Sequence, residues 1–167
     1  MREIQVLSFA TIDELAKRLP IGDQHFLLLL AWDAPEKSTE QLTGFFERLV
    51  DRGLVYFCAW GRNCEAVHDA VDRCDTEKHK REGRSVSENS VVMTTWHAKE
   101  SLGEALWFFK ICAVPAGSRD PSECDRFAVA IGNPAWSTEM EQALQSIEGD
   151  ADDEIEPLEG DAEDIWL

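Results

Sequence analysis

A unit that repeats along the chain constrains the possible fold more than any other feature of the sequence. Each unit is a continuous apolar run with a tryptophan at or near its end, followed by a segment whose apolar residues recur at helical spacing. Runs without polar alternation are typical of strands that are covered on both faces, as in parallel sheets. The tryptophans are 28 to 40 residues apart, which is long enough for a βαβ unit. The four runs are 27–33, 55–61, 91–97 and 127–136.

The segments between the runs predict amphipathic helices, three of which begin with the Ser/Thr-x-x-Glu/Gln pattern of a capping box, at Ser38, Ser101 and Thr138. Residues 4–9 add a first strand and residues 12–19 a first helix. The alternation predicts an α/β fold, namely a single three-layer domain with a mostly parallel sheet of about five strands and helices on both faces. Such a domain is Rossmann-like or flavodoxin-like, and the alternation does not determine its strand order.

The charge of the chain is strongly negative and unevenly distributed. The sequence has 16 Lys and Arg against 33 Asp and Glu, a net charge of −17. Residues 148–167 contain ten acidic residues and no Lys or Arg, so we divide the chain into an α/β domain, 1–147, and an acidic tail, 148–167. This balance argues against binding to duplex nucleic acid or to an anionic membrane, and favours a protein partner with a basic surface.

The sequence lacks the signatures of secretion, membrane insertion and cofactor binding. It opens with no basic segment followed by an apolar one, and its longest apolar run, 26–32, is too short to span a bilayer. The five cysteines include no CxxC pair and predict no disulfide framework, which favours a cytoplasmic protein. Neither a glycine-rich phosphate loop nor the spacing of a zinc site occurs, so we expect no cofactor and no metal.

Three residues that follow predicted strands form the candidate catalytic set. Ligands bind beyond the carboxyl ends of parallel strands, where Asp33, Cys64 and His97 are expected. Cys64 lies at the start of a predicted helix, whose N-terminal amides lower a thiol pKa. His97 would then act as its base, with Asp33 orienting the imidazole. The alternative is that Cys64 is a small buried apolar residue and His97 a hydrogen-bonded one.

The same sheet edge is expected to carry four indoles, for which two interpretations remain open. They form an aromatic wall for a nucleobase, a sugar or a peptide side chain, or they close the end of the core, which we favour. The residues assigned to this ligand edge are Trp32, Trp60, Asn63, Trp96, Asn133 and Trp136.

The helix predicted over 101–113 has more apolar surface than one buried stripe requires. Trp107, Phe108 and Ile111 lie off its first stripe. A helix that is apolar on most sides is buried on most sides. These three residues are therefore covered by a neighbouring element, or they form the contact of a homodimer.

The acidic tail ends in the apolar residues Ile165, Trp166 and Leu167, and Trp is frequent among binding hot spots. Acidic residues with a few bulky anchors are typical of linear segments that become ordered on a partner. Such a tail binds a basic groove on another protein, or it binds the chain's own basic segment. That segment contains Lys78, Lys80, Arg81 and Arg84.

We expect a non-enzymatic protein-binding module that uses its acidic surface and C-terminal tail, as an immunity-like or inhibitor-like protein or as a small subunit of a bacterial defence or regulatory complex. The alternative function is a small Cys–His enzyme or a ligand-sensing domain that uses the Trp-lined ends of the strands. A strand-end pocket with Cys64 and His97 in hydrogen-bond reach would favour the enzyme, and a closed edge would favour the binding module.

Overall fold

Five parallel strands form the central sheet of the computed structural model, which describes residues 1–83 and 91–153, with side chains as far as residue 149. The predicted α/β fold is confirmed, and every strand pair in the sheet is parallel. The strands are β1 (Ile4–Phe9), β2 (Phe26–Trp32), β3 (Leu54–Trp60), β4 (Met93–His97) and β5 (Asp125–Ile131).

Helices cover both faces of this sheet. Alternate residues of its central strand, β2, therefore belong to two separate apolar cores. Leu28 and Leu30 of β2 pack in one core, and Leu27 and Leu29 pack in the other. Helices α1 (Asp13–Arg18), α2 (Thr39–Thr43), α3 (Glu47–Asp51) and α4 (Cys64–Glu82) contribute to the first core. Helices α5 (Leu102–Ile111) and α6 (Pro134–Asp153) contribute to the second.

The spatial order of the strands is β1-β5-β2-β3-β4. The chain moves outward from β2 to β4 with its helices on one face, and α5 then carries it back across the other face to β5. Right-handed crossovers in opposite directions place their helices on opposite faces. Helices α1 and α2, which follow β1 and β2, pack on one face, and α6, which follows β5, packs on the other, which opens a crevice at the carboxyl end of β5.

Two of the three predicted capping boxes are present. The hydroxyls of Ser38 and Ser101 accept hydrogen bonds from the backbone of Gln41 and Glu104, whose side chains in turn accept from the serine amides. The box at Thr138 was wrong, because α6 begins four residues earlier, at Pro134. A proline suits the first position of a helix, and the Asn133 side chain before it accepts a hydrogen bond from the amide of Ala135.

Two other helices differ from the sequence-based expectation. The segment 38–53 forms two short helices, α2 and α3, instead of one. Helix α4 runs to Glu82, so Lys78, Lys80 and Arg81 lie on its last turns and not in a loop, while Arg84 falls outside the described residues. Among the described helices, none is both long and apolar enough to cross a membrane.

Helix α6 continues past residue 147, so the first six residues of the acidic tail, 148–153, are helical. The predicted anchors Ile165, Trp166 and Leu167 lie outside the described residues.

Candidate functional site

A crevice opens at the carboxyl end of the sheet, where the connections after β1, β2 and β5 diverge. It encloses a cavity of about 460 Å³. Ligands of open α/β sheets bind at such a divergence of strand connections. Three of the predicted ligand-edge residues, Trp32, Asn133 and Trp136, line this cavity together with Asp33 and Thr11. Because α6 begins at Pro134, Trp136 projects from a helix and not from a strand end.

The other three predicted ligand-edge residues lie elsewhere. The indole of Trp60 donates a 2.9 Å hydrogen bond to the carbonyl of Glu100 and packs edge-to-face on Trp136, with ring centroids 5.2 Å apart. Asn63 has a left-handed backbone, with φ of 59°, and its side chain donates to the carbonyl of Pro35. Trp96 lies at the outer edge of the sheet, 44% exposed. The four indoles therefore do not form one continuous wall.

The close approach of two strand ends fixes the position of Asp33. A Cβ atom at Gly61, which has φ of +113°, would lie 2.4 Å from the carbonyl oxygen of Trp32, so only glycine fits there. The chain turns directly after Gly61, and the carboxylate of Asp33 accepts a 2.8 Å hydrogen bond from the amide of Arg62. Asp33 thus joins the ends of β2 and β3.

The candidate catalytic residues do not form a hydrogen-bonded triad within the described part of the chain. The His97 ring places Nε2 3.1 Å from the hydroxyl of Thr95 and Nδ1 3.7 Å from the carboxylate of Glu100. The backbone of His97, and not its ring, is among the groups that lower the pKa of the Cys64 thiol. Asp33, bound to Arg62, does not orient the imidazole.

The protonation of Cys64 and His97 also differs from the expectation. Burial raises the pKa of the Cys64 thiol above its ordinary value, although backbone hydrogen bonds from His97, Cys64 and Glu65 act in the opposite direction. Burial lowers the pKa of His97, which the nearby Glu100 only partly offsets. Burial disfavours the charged form of each group, and at Cys64 this effect is larger than the opposing effect of the amides at the helix N-terminus. A reactive thiolate at Cys64 is therefore disfavoured near neutral pH.

Metal binding finds no support among the described residues, where no group of three or more His, Cys, Asp or Glu side chains is arranged to hold an ion. His68, one helical turn after Cys64, is instead hydrogen-bonded at 2.9 Å to both Asp69 and the hydroxyl of Thr94. Thr94 in turn donates to Asp72 at 2.6 Å, so this cluster attaches α4 to β4.

A second candidate site is an exposed apolar surface where β4 lies beside α5. Its large side chains are 40 to 50% exposed, and we name them the β4–α5 surface: Met93, Trp96 and Trp107. A cavity of about 480 Å³ lies between the two elements. It is lined by both indoles and by Phe108, with the carboxylates of Glu100 and Glu104 at its rim.

The three apolar residues that sequence analysis singled out on α5 have different environments. Trp107 and Ile111 are both about half exposed, but Trp107 lines the cavity beside β4, whereas Ile111 lines a cavity beside Ile4 and Val6 of β1. Phe108 is half-buried, and its ring centroid lies 4.8 Å from that of His97. The sequence pattern does not identify Met93 as a surface residue, because an apolar strand pattern does not say which strand lies at the edge of the sheet.

A family model for Domain of unknown function (DUF7684) matches residues 1–147. The chain belongs to the DUF7684 family. The DUF7684 match covers all five strands and the first part of α6, so it contains both the strand-end crevice and the β4–α5 surface. Comparison with the curated proteins and with the solved structures gave no match.

Proposed function

We propose that this DUF7684 protein is a non-enzymatic module that binds another protein through its β4–α5 surface. Its role would be that of an immunity protein, an inhibitor or a small subunit of a bacterial defence or regulatory complex. The observation that carries the proposal is the grouping of three large, partly exposed apolar side chains on β4 and α5, two of which line one cavity. Two of them are tryptophans, the residue type most enriched in binding hot spots. Apolar patches of this kind mark protein interaction sites.

The charge around the surface favours a basic partner. Glu100 and Glu104 lie at the rim on the α5 side. Asp69 and Asp72, whose side chains are about half exposed, lie on the α4 side, where they contact His68 beneath Trp96. Opposite charges across an interface speed association and exclude partners of the same charge.

The environment of Cys64 supports binding over catalysis. Its thiol is buried and its pKa is raised, whereas a nucleophilic cysteine needs access and a lowered pKa. His97 is held by Thr95 and Glu100 and is not placed to take the thiol proton.

A double variant tests the proposal. Trp96→Thr with Trp107→Gln removes both indoles but keeps a good strand former on β4 and a good helix former on α5, so we expect both elements to remain folded. Proteins captured from a bacterial lysate by the wild-type chain would be identified and purified, and their affinity measured by calorimetry. We expect the double variant to bind at least about tenfold more weakly, as for loss of a hot spot.

The matched control for this experiment is Val6→Thr, a nearly isosteric change on the opposite edge strand, which we expect to bind like the wild type. Equal affinity of the double variant and the wild type would show that the β4–α5 surface is not the binding site.

The acidic tail is a second part of the proposed interface and needs a separate test. Truncation belongs after Asp153, the last described residue of α6, because Glu148 pairs with Lys110 of α5. We expect the truncated chain to melt like the wild type and to bind the partner more weakly, and Trp166→Ala to reproduce much of that loss. Unchanged affinity in both variants would restrict the interface to the folded domain.

A small-molecule site in the strand-end crevice is the second candidate function, favoured by its position where the strand connections diverge. A thermal-shift screen with nucleotides, sugars and amino acids tests it. A ligand of this crevice would stabilise the wild type and the Trp107→Gln variant equally, but not Trp136→Ala. A screen without such a ligand would oppose this function.

A further inference from the structure

Within residues 1–83 and 91–153, strand β4 is an edge strand without the usual protection against pairing. It is the last strand in the order β1-β5-β2-β3-β4, and it pairs with β3 in regular register without a bulge. Its sequence, Met-Thr-Thr-Trp-His, contains no proline, lysine or carboxylate. Natural edge strands are usually blocked by charges, prolines, bulges or covering elements, because their free N–H and C=O groups accept a further strand.

The two faces of this edge both offer apolar contacts to an added strand. Thr94 and Trp96 face α4, where the Trp96 ring packs on His68 with centroids 4.6 Å apart. His97 faces α5, where its ring contacts that of Phe108 and where Trp107 lines the same cavity. The alternating side chains of an added strand would therefore lie against Trp96 on one face and against Trp107 on the other.

Carboxylates flank the edge on both faces. Asp69 and Asp72, with side chains 52% and 49% exposed, lie on the α4 face, and Glu100 and Glu104 lie on the α5 face. Lys110 is the basic residue of α5, and it is paired with Glu148. A lysine or arginine placed on either face would meet two carboxylates and the face of an indole, which attracts cations.

We propose that the β4 edge accepts an extended, lysine- or arginine-bearing segment of a partner protein as a sixth strand of the sheet. This inference rests on the proposed function and specifies the partner by its chemistry. Main-chain hydrogen bonds to β4 supply affinity, and the alternating side chains supply specificity. A second copy of this chain fits less well, because its own four carboxylates would lie against the same four carboxylates here and repel them.

The experiment uses the full chain and short peptides with blocked termini that alternate valine with lysine or arginine. Binding is followed by calorimetry and by the indole N–H signals of Trp96 and Trp107 in NMR spectra. We expect the basic peptides to bind, and counterparts with glutamate at the basic positions to bind at least about tenfold more weakly. Failure of the basic peptides to bind at about 1 mM would overturn the inference.

Methylation of the peptide amides distinguishes strand addition from other modes of binding. In an added strand, alternate amides face β4 and the others face away. We therefore expect methylation of one alternating set to lower affinity at least about tenfold, and of the other set to have little effect. Equal effects of the two sets would overturn strand addition.

Two charge variants test the carboxylates. Glu100→Gln with Glu104→Gln removes two charges while the glutamine at 104 keeps an oxygen for the capping box of α5. We expect the basic peptides to bind this variant at least about threefold more weakly, with a weaker dependence on salt. The control, Glu36→Gln with Glu40→Gln, removes two exposed charges elsewhere and is expected to bind normally.

Failure of this inference is separable from failure of the proposed function. Weaker binding of the natural partner to the Trp96→Thr, Trp107→Gln variant, with no binding of basic peptides, overturns strand addition alone. Unchanged partner affinity in that variant overturns the proposed function. A dimer in sedimentation that dissociates on Trp96→Thr would show that a second copy occupies the edge, and would also overturn the inference.

Discussion

The two edges of the sheet have the same parallel pairing but opposite surfaces. On β1, the exposed side chains are those of Gln5 and Ser8, whereas Ile4 and Phe9 are buried. On β4, the exposed side chains include Met93 and Trp96. Helix α6 packs on β1 and α4 packs on one face of β4, but α5 lies over β2 and β3, so no described helix covers the other face of β4. The difference between the exposed side chains of the two edge strands thus accompanies a difference in how the helices cover them.

This difference assigns different roles to the two sides of the molecule. On the β1 side, a buried charged group stabilises the packing of α5. Arg126 donates hydrogen bonds of 2.6 and 3.0 Å to the carbonyls of Phe109 and Lys110 at the C-terminal end of α5, where cations are favoured. On the β4 side, the other end of α5 presents Trp107 to solvent. The predictions below test this division.

The largest effect is expected at Arg126. Arg126→Ala leaves two carbonyls without their donor and removes a packed side chain, so we expect the free energy of unfolding to fall by about 3 kcal/mol. Urea denaturation measures it. Arg2→Ala, which removes a half-exposed ion pair with Asp125, is the control and is expected to cost less than about 1 kcal/mol. Equal losses would contradict a structural role for Arg126.

Adjacent residues of α5 are expected to respond differently to the same charge. Phe108→Glu places a carboxylate against the His97 ring and the core, and we expect a loss of about 2 kcal/mol. Trp107→Glu changes a half-exposed position, and we expect the free energy of unfolding to change by no more than about 0.5 kcal/mol. Denaturation and sedimentation are measured together. A stable, dissociated Phe108→Glu chain would instead show that Phe108 belongs to a subunit contact.

Cysteine labelling distinguishes the binding module from the Cys–His enzyme. Cys112 is exposed, whereas Cys58, Cys64 and Cys74 are buried, and burial raises the pKa of Cys58 and Cys74 to about 12. We expect a mild alkylating agent near neutral pH to modify Cys112 first, as detected by mass spectrometry, and Cys112→Ser to remove the fast phase. Fast labelling of Cys64 that slows in His97→Ala would restore the enzyme hypothesis.

The smallest effect is a pH dependence located on the β4 side. Burial lowers the pKa of His97 below 6.5 in the folded chain, so the unfolded chain binds the proton more readily. Stability is therefore full above pH 6.5 and falls as the pH drops through 6.5 toward the lower, folded value. Melting temperatures between about pH 8 and pH 5 measure this, and we expect His97→Gln to flatten the curve.

Two other groups contribute to the same curve and need controls. Burial, with Arg119 and Lys78 nearby, lowers the pKa of His25, so His25→Gln is measured in parallel. Burial raises the pKa of Asp75, which has the opposite sign and increases stability as the pH falls toward 3.8. A slope that His97→Gln leaves unchanged would place the dependence outside β4.

The features of the fold that depend on residues close together in the sequence were predictable from it. The capping boxes at Ser38 and Ser101 form because each joins residues three positions apart. The box at Thr138 failed for an equally local reason, since Asn133 and Pro134 upstream offer an earlier start. One crevice is lined by three of the residues assigned to the ligand edge, Trp32, Asn133 and Trp136, because the carboxyl ends of parallel strands lie at the same side of a sheet.

The sequence by itself determined the alternation of strands and helices, because periodicity and caps act over a few residues. The tertiary structure alone decided that β4 is an edge strand, that Trp96 is exposed while Trp32 is buried, and that the pKa of Cys64 is raised. Each of these depends on which elements from distant parts of the chain pack together. Burial and desolvation are set by such neighbours, and the crossovers that place them are not encoded in any local pattern.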